Sequence, residues 1–246
     1  MLTEEAERLF GGVIGEEYDM LKQVCPAAAE MSRQVGEFVE GWQPGRFLRI
    51  FEIGCGTGIT TAALLSGRED SVITALDNEP GMLTQAKRNL APWIEAGRLQ
   101  LQECDALSGL QSLPDASVDV VASAYTLHNF LNGYRRQVIG DICRVLKPGG
   151  VFVNGDRYAL DDTLAHTRLA QEELRHYCRT FYAMARPDLL EQWVVHMFSD
   201  ESPDHIMRLE SAIAGLKQGG FDPVLIHYRE GVNTLLSAVK PASSEA

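Results

Sequence analysis

Long apolar runs are missing from this chain. None reaches the roughly 18 residues a membrane-spanning helix needs, so no membrane partner is expected. Positive charge is also scarce: 22 Lys and Arg stand against 34 Asp and Glu, a net charge of −12. Such a surface repels nucleic acid at long range unless basic residues cluster locally. The clearest cluster is the pair Arg135-Arg136, so DNA and tRNA are disfavoured as substrates. Cysteine is sparse: Cys25, Cys55, Cys104, Cys143 and Cys178 are odd in number, and no two stand in C-x-x-C spacing. No disulfide framework or zinc ribbon follows, and a reducing compartment suits the chain. The six histidines form no H-x-x-x-H pair, so no metal is expected. The first residues, Met1 to Glu7, are acidic and lack a signal-peptide profile. A cytoplasmic protein is the expectation.

The 246 residues fit one α/β domain with additions. There is no internal repeat and no low-complexity segment. Residues 3–42 read as three helices, the third carrying Met31, Val35, Phe38 and Val39 on one face. Strand and helix patterns then alternate. Strands are expected at 47–52, 71–76, 98–103, 117–124 and 151–154, with helices at 59–65, 80–90 and 134–146. Short βα connections of this kind imply a parallel sheet with helices on both faces. From 161 the pattern is helical. A long helix capped by Asp161 or Asp162 runs to about 185, a second covers 188–198 and a third 202–218. Two strands, 224–228 and 235–239, close the chain.

The stretch Phe47-Leu48-Arg49-Ile50-Phe51-Glu52-Ile53-Gly54-Cys55-Gly56-Thr57-Gly58 organises the rest. It reads as a buried strand, a tight glycine turn, then a helix. Bare backbone in such a turn lets a ligand lie close. A dinucleotide fingerprint needs G-x-G-x-x-G, but the sixth position from Gly54 is Ile59. This argues against a nicotinamide dehydrogenase. Glu52, just before the turn, repels phosphate and attracts a cation. A positively charged nucleoside ligand fits, and S-adenosylmethionine is one: it carries an adenosine, a sulfonium and an α-ammonium. Open α/β sheets bind ligands outside the carboxyl ends of their strands. Three such ends carry acids. Glu52 can orient the ammonium, Asp77 can accept from both ribose hydroxyls with Asn78 beside it, and Asp105, followed by Ala106, can accept from the adenine amino group. Cys55 lies inside the turn, where it touches ligand or simply fits a crowded backbone.

The turn resembles motif I of the class I S-adenosylmethionine-dependent methyltransferases. Residues 113–121 and 142–150 resemble the segments around the fourth and fifth strands of the small-molecule members. The resemblance covers residues 47–157 and implies a Rossmann-like fold: a mostly parallel seven-stranded sheet, helices on both faces, and N-terminal helices and a helical insertion as a lid. It implies one methyltransferase domain over 1–246. Within it, 1–45 is an N-terminal helical segment, 46–160 the cofactor core, 161–218 the lid and last core helix, and 219–246 the closing strands and tail. The implied cofactor is S-adenosylmethionine and the product S-adenosylhomocysteine. The implied contacts are Glu52, Gly54, Cys55, Gly56, Gly58, Asp77, Asn78, Met82, Asp105, Ala106 and Ala124. A weaker resemblance, to carboxy-S-adenosylmethionine synthase, reaches both ends. The tyrosine and asparagine that synthase uses correspond here to Ala28 and Ala124, and no arginine of the insertion aligns with its arginine; Leu190 is nearest. These departures favour ordinary methyl transfer.

Methyl transfer needs donor and acceptor held in line and, for some acceptors, a proton removed. The segment 124–129 should pass beside the sulfonium, where His128 is the candidate catalytic base or acceptor-orienting group. Tyr18, Arg157 and Tyr158 are candidate substrate contacts, Arg157 for an acidic acceptor. Tyr177, Phe181, Tyr182, Trp193, His196 and Phe198 either line an acceptor pocket or form core. The expected activity is that of a transferase acting on a small molecule, with a homodimer compatible. The alternatives are a carboxy-S-adenosylmethionine synthase-like enzyme and a non-catalytic cofactor-binding interaction module.

Overall fold

A computed structural model describes residues 26–242. Seven strands form one sheet in the order β3-β2-β1-β4-β5-β7-β6. They are β1 (Leu48–Ile53), β2 (Ser71–Asp77), β3 (Leu99–Glu103), β4 (Val118–Ala124), β5 (Leu146–Arg157), β6 (Val224–Glu230) and β7 (Asn233–Val239). The first five run parallel. Only β7 is reversed, pairing antiparallel with both β5 and β6. The chain order doubles back between β1 and β4, so the carboxyl ends of these strands flank a crevice.

The alternation of each strand sorts its side chains between two cores. Phe51, Ile53, Val121 and Phe152 face one side and pack under α5 (Ala106–Gln111), α6 (Asn132–Val145) and α9 (Leu209–Gln218). Leu48, Ile50, Val120 and Val151 face the other, under α1 (Pro26–Gly41), α2 (Ile59–Gly67) and α3 (Pro80–Asn89). A short α4 (Ala91–Glu95) follows α3. Every residue of β4 is buried, as a central strand covered on both faces requires, and its two polar members are paired: Asp119 accepts from Lys147 and Ser123 donates to the Ile53 carbonyl. Met31, Val35 and Val39 of α1 are buried as their helical spacing predicts. Pro80 opens α3 where a missing N–H costs nothing, and Lys87 and Arg88 close it at the end that favours cations.

Between β5 and α9 the chain makes a helical insertion. It comprises α7 (Thr163–Ala183) and α8 (Pro187–Asp200). Asp162 caps α7 by accepting from the N–H groups of Leu164 and Ala165 at 2.9 and 3.0 Å. The two helices enclose a small core of Tyr177, Phe181, Leu189, Trp193 and Met197. Tyr182 and Phe198, also candidates for a pocket wall, are exposed instead.

Two boundaries differ most from expectation. β5 starts at Leu146, directly after α6, because the Lys-Pro-Gly-Gly segment runs on beside Lys240: Gly149 donates to its carbonyl at 2.8 Å and Gly150 accepts from its N–H at 2.9 Å. The last core helix begins at Leu209, not at 202. Residues 203–208 are spent on the return from the insertion, where Asp204 accepts from the Asn132 N–H at 2.7 Å and Arg208 bridges to Ala159. The two helices expected earlier in the N-terminal segment, with Tyr18, lie outside the described residues. No helix among the described residues is long and apolar enough to cross a membrane.

Candidate active site

The glycine turn is stitched to β2: the N–H groups of Gly54 and Cys55 both donate to the Leu76 carbonyl, at 3.0 and 2.9 Å. Gly54, Gly56 and Gly58 all have positive φ, at 71°, 53° and 94°. Two of them also answer to packing. A side chain on Gly54 would meet the Thr126 hydroxyl at 2.2 Å, and one on Gly58 would meet Leu90 at 2.5 Å. Gly56 instead lines the cleft and donates its N–H to Asp77 Oδ2 at 2.8 Å.

That cleft lies at the carboxyl ends of β1, β2 and β4 and encloses about 660 Å3, counting the part open to solvent. Of the expected contacts, Gly54, Gly56, Asp77, Asn78, Met82, Asp105, Ala106 and Ala124 line it. Glu52, Cys55 and Gly58 are set back. The Cys55 side chain turns into the core shared by α1 and α2, and Gly58 opens α2, so neither faces the cleft. Tyr125, Thr126, Asn129, Phe130 and Glu79 line it too; the first three belong to the segment 124–129 expected beside the sulfonium, and Phe130 and Glu79 were missed. The rule that picked the acids at strand ends applies equally to the turn after β4, which carries four of these five.

The three acids differ in what they already hold. Glu52 is fully buried on β1 beneath the turn, and neither carboxyl oxygen has a hydrogen-bond partner among the described residues. Burial pushes its carboxyl up to about 8; the nearby Thr61 hydroxyl opposes this, short of a bond of ordinary geometry, and the charge of Asp77 adds to it. Asp77 accepts from Gly56 N–H and, at 3.0 Å, from Glu79 N–H, which leaves each oxygen room for one more donor. Burial raises its carboxyl, against the pull of those two N–H groups. Asp105 caps α5. It accepts from the Ser108 N–H at 2.9 Å, the Ser108 hydroxyl, and the Tyr134 hydroxyl at 3.0 Å. Burial works against its ionisation, but these donors outweigh it and hold the carboxyl below its ordinary range.

His128 sits in a 3-10 turn, Leu127–Asn129, with its ring turned from the cleft toward α8. Its Nδ1 lies 2.5 Å from Asp156 Oδ1. Asp156 is fully buried and also accepts from the N–H groups of Leu127 and Arg157. Burial disfavours its charge, yet the ring of His128 and the Arg157 N–H keep it below the usual carboxylate range. An ionised acceptor at Nδ1 fixes the proton there and leaves a lone pair on Nε2. Nε2 lies 4.0 Å from Asp200 on α8, and His196 Nε2 lies 3.5 Å from the same carboxylate oxygen.

The other substrate candidates do not reach the cleft. Arg157 is held by Glu173 of α7 through two bonds of 3.0 and 2.8 Å, which ties the insertion to β5 and leaves no free fork for an acidic acceptor. Tyr158 is buried in the core, where its hydroxyl accepts from Asn154 at 2.7 Å. The strand alternation places it on the same face as Asn154 and Asp156, under the turn and not above it.

The comparisons with known proteins agree with this geometry. Residues 51–154 match the methyltransferase domain family. Over this core the chain resembles the class I S-adenosylmethionine-dependent methyltransferases. Among curated relatives, it is 24% identical over 153 residues to the carboxy-S-adenosyl-L-methionine synthase of Photobacterium profundum, covering 61% of each chain. It is 34% identical over 109 residues to the demethylmenaquinone methyltransferase of Leptospira interrogans, covering 44% of this chain and 43% of the other. The matches thus span less than two thirds of these relatives. Among solved structures, CurJ carbon methyltransferase superposes with a TM-score of 0.67 at 18% identity, over 94% of this chain and 60% of that one. An O-methyltransferase family protein from Burkholderia thailandensis gives 0.66 at 17%, over 96% and 63%. At these identities the structures establish the fold.

S-adenosylmethionine is the cofactor of this methyltransferase domain, and the residues present fit it. The buried groups without a partner around the turn include both oxygens of Glu52, the hydroxyls of Thr57 and Thr61 and, in the cleft wall, Oδ1 of Asn129. A ligand bearing an ammonium supplies a donor to Glu52 and Asn129, whereas a pyrophosphate supplies none.

Proposed function

We propose that this protein transfers a methyl group from S-adenosylmethionine to a small-molecule acceptor. When bound, the cofactor supplies a carbon already activated by its sulfonium. The chain has then to bind, orient and exclude water. Glu52 and Asn129 receive the ammonium, Asp77 the ribose hydroxyls through its two remaining acceptor directions, and Asp105, Ala106 and Met82 the adenine. The acceptor enters between the turn after β4 and the insertion, and His128 engages it through Nε2 with Asp156 holding the ring. The observation that carries this reading is the run of unpaired acceptors beneath and beside the glycine turn. Carboxy-S-adenosylmethionine synthesis is less well supported: Arg186, the insertion arginine closest to the position that chemistry uses, is paired with Asp188.

Isothermal titration tests the reading. S-adenosylhomocysteine should bind one site per chain and NAD+ should not bind. Gly56→Arg, which fills the cleft at a position of positive φ, should abolish binding while the far-ultraviolet dichroism stays native. A folded wild-type protein that binds no S-adenosylhomocysteine would overturn it.

A further inference from the structure

The buried groups where α8 meets the turn after β4 have more chemistry than a structural contact needs. Two imidazoles and one carboxylate converge there. His128 comes from the turn, and His196 and Asp200 come from α8, one helical turn apart. Their nearest ligand atoms all lie within 4.8 Å of one another, with Asp200 Oδ2 at 3.5 Å from His196 Nε2 and 4.0 Å from His128 Nε2. A tetrahedral ion with bonds of about 2.0–2.2 Å holds its ligand atoms about 3.4 Å apart, so small side-chain shifts close the set around one ion.

Three further observations point to a cation. Asp156 grips Nδ1 of His128 at 2.5 Å, the carboxylate-behind-histidine arrangement that aims Nε2 and makes it more basic toward a metal. The Asp200 side chain is only 10% exposed, and its Oδ1 has no hydrogen-bond partner among the described residues. A carboxylate buried in that state is costly unless something positive meets it. The nearby arginines are committed elsewhere: Arg135 donates to the carbonyls of Leu127, His128, Phe130 and His205, and Arg157 is paired with Glu173.

We infer that His128, His196 and Asp200 bind one divalent transition-metal ion, with a coordination position left for the acceptor. Two nitrogens and one carboxylate suit Zn2+, Co2+ or Mn2+ and disfavour Mg2+ and Ca2+, which prefer oxygen ligands. Three protein ligands with an open position is the pattern of reactive metal sites. His128 stands beside the cleft: the next residue, Asn129, lines it, and so does Tyr125, whose ring meets the His128 ring edge-on at 5.7 Å. Resting on the proposed methyl transfer, this deepens it by placing the ion between His128 Nε2 and the acceptor and by naming the acceptor class. The acceptor carries an ionisable oxygen or thiol, which the ion binds and makes easier to deprotonate. The sequence signal is H-x-x-x-D in α8, a spacing that a search for H-x-x-x-H passes over.

The test is zinc titration of the metal-stripped full chain, with S-adenosylhomocysteine titrated into the same samples. One Zn2+ per chain is expected. Asp200→Asn and His196→Gln should weaken it by more than the roughly 10–100-fold that loss of an outer-shell partner costs, with S-adenosylhomocysteine binding unchanged. Co2+ in place of Zn2+ should give visible absorption bands that both variants lose. Failure of Zn2+ to bind a protein that still binds S-adenosylhomocysteine would sink the metal site and spare the methyltransferase reading. Equal Zn2+ affinity in Asp200→Asn would sink it too, since the ion would then be held elsewhere. Zn2+ bound through Asp200 without S-adenosylhomocysteine binding would do the reverse.

Discussion

Glu52 is a carboxylic acid at neutral pH, because burial raises its pKa to about 8. A raised pKa in the folded state means the native protein holds a proton the unfolded chain releases. This contribution to stability is therefore complete below about pH 4.5 and is lost as pH rises to about 8. Ligand binding works the other way, since an ammonium favours the ionised form. S-adenosylhomocysteine should bind more tightly as pH rises from 6 to 8, with a proton released near pH 7. Titration in two buffers of different ionisation enthalpy measures that release; none would remove Glu52 from the ammonium site. Glu52→Gln should weaken binding by about 1.5–3 kcal/mol, the scale of a charged hydrogen bond. It should also raise the melting temperature of the free protein at pH 9. This residue was legible from its place before the turn. Cys55 was not, because one chain step decides whether a side chain faces ligand or core.

Among the elements, the 3-10 turn after β4 depends on Arg135. Its guanidinium ties three carbonyls of that segment to the His205 carbonyl on the return from the insertion. Arg135→Met leaves the carbonyls of His128, Phe130 and His205 without this donor, while Leu127 keeps the Phe130 N–H, and each such loss costs about 1–3 kcal/mol. The urea midpoint should fall by the equivalent of at least about 3 kcal/mol, and S-adenosylhomocysteine affinity should fall with it. An effect within error of wild type would mean water replaces the guanidinium. In the sequence, Arg135 and Arg136 read only as a small basic cluster. The bonds of Arg135 run to carbonyls, which every residue has, so composition carries no trace of them. The strands were readable because period-two burial on a central sheet restricts residue type. The starts of β5 and α9 were not, since backbone pairing with Lys240 and Ala159 sets them.

For the whole molecule, ligand binding should show as stability. At a concentration of 100 times Kd, S-adenosylhomocysteine adds about 2.7 kcal/mol. For a chain of this size that is a rise in melting temperature of roughly 5–10 °C, measurable by differential scanning fluorimetry. An unmoved transition under saturating ligand would contradict binding to the folded state. The parallel sheet and its cofactor crevice follow from repeated local patterns, so they were open to reading. Which faces of α7 and α8 pack together and which meet the core was not, because both helices carry aromatics on several sides. Tyr177 and Trp193 went inward to each other, while His196 and Asp200 went to His128.

The insertion also leaves and rejoins the core at one point. Ala159 donates to the Met207 carbonyl at 2.8 Å and accepts from the Leu209 N–H at 3.2 Å, so its two ends are fastened side by side. A segment hinged in this way is an exchangeable cassette. Another insertion with the same closing bonds can be grafted between Ala159 and Arg208 at little extra loop-closure cost. The cofactor crevice, built wholly from the preceding strands, would pass to the chimera intact, and acceptor choice would travel with the graft.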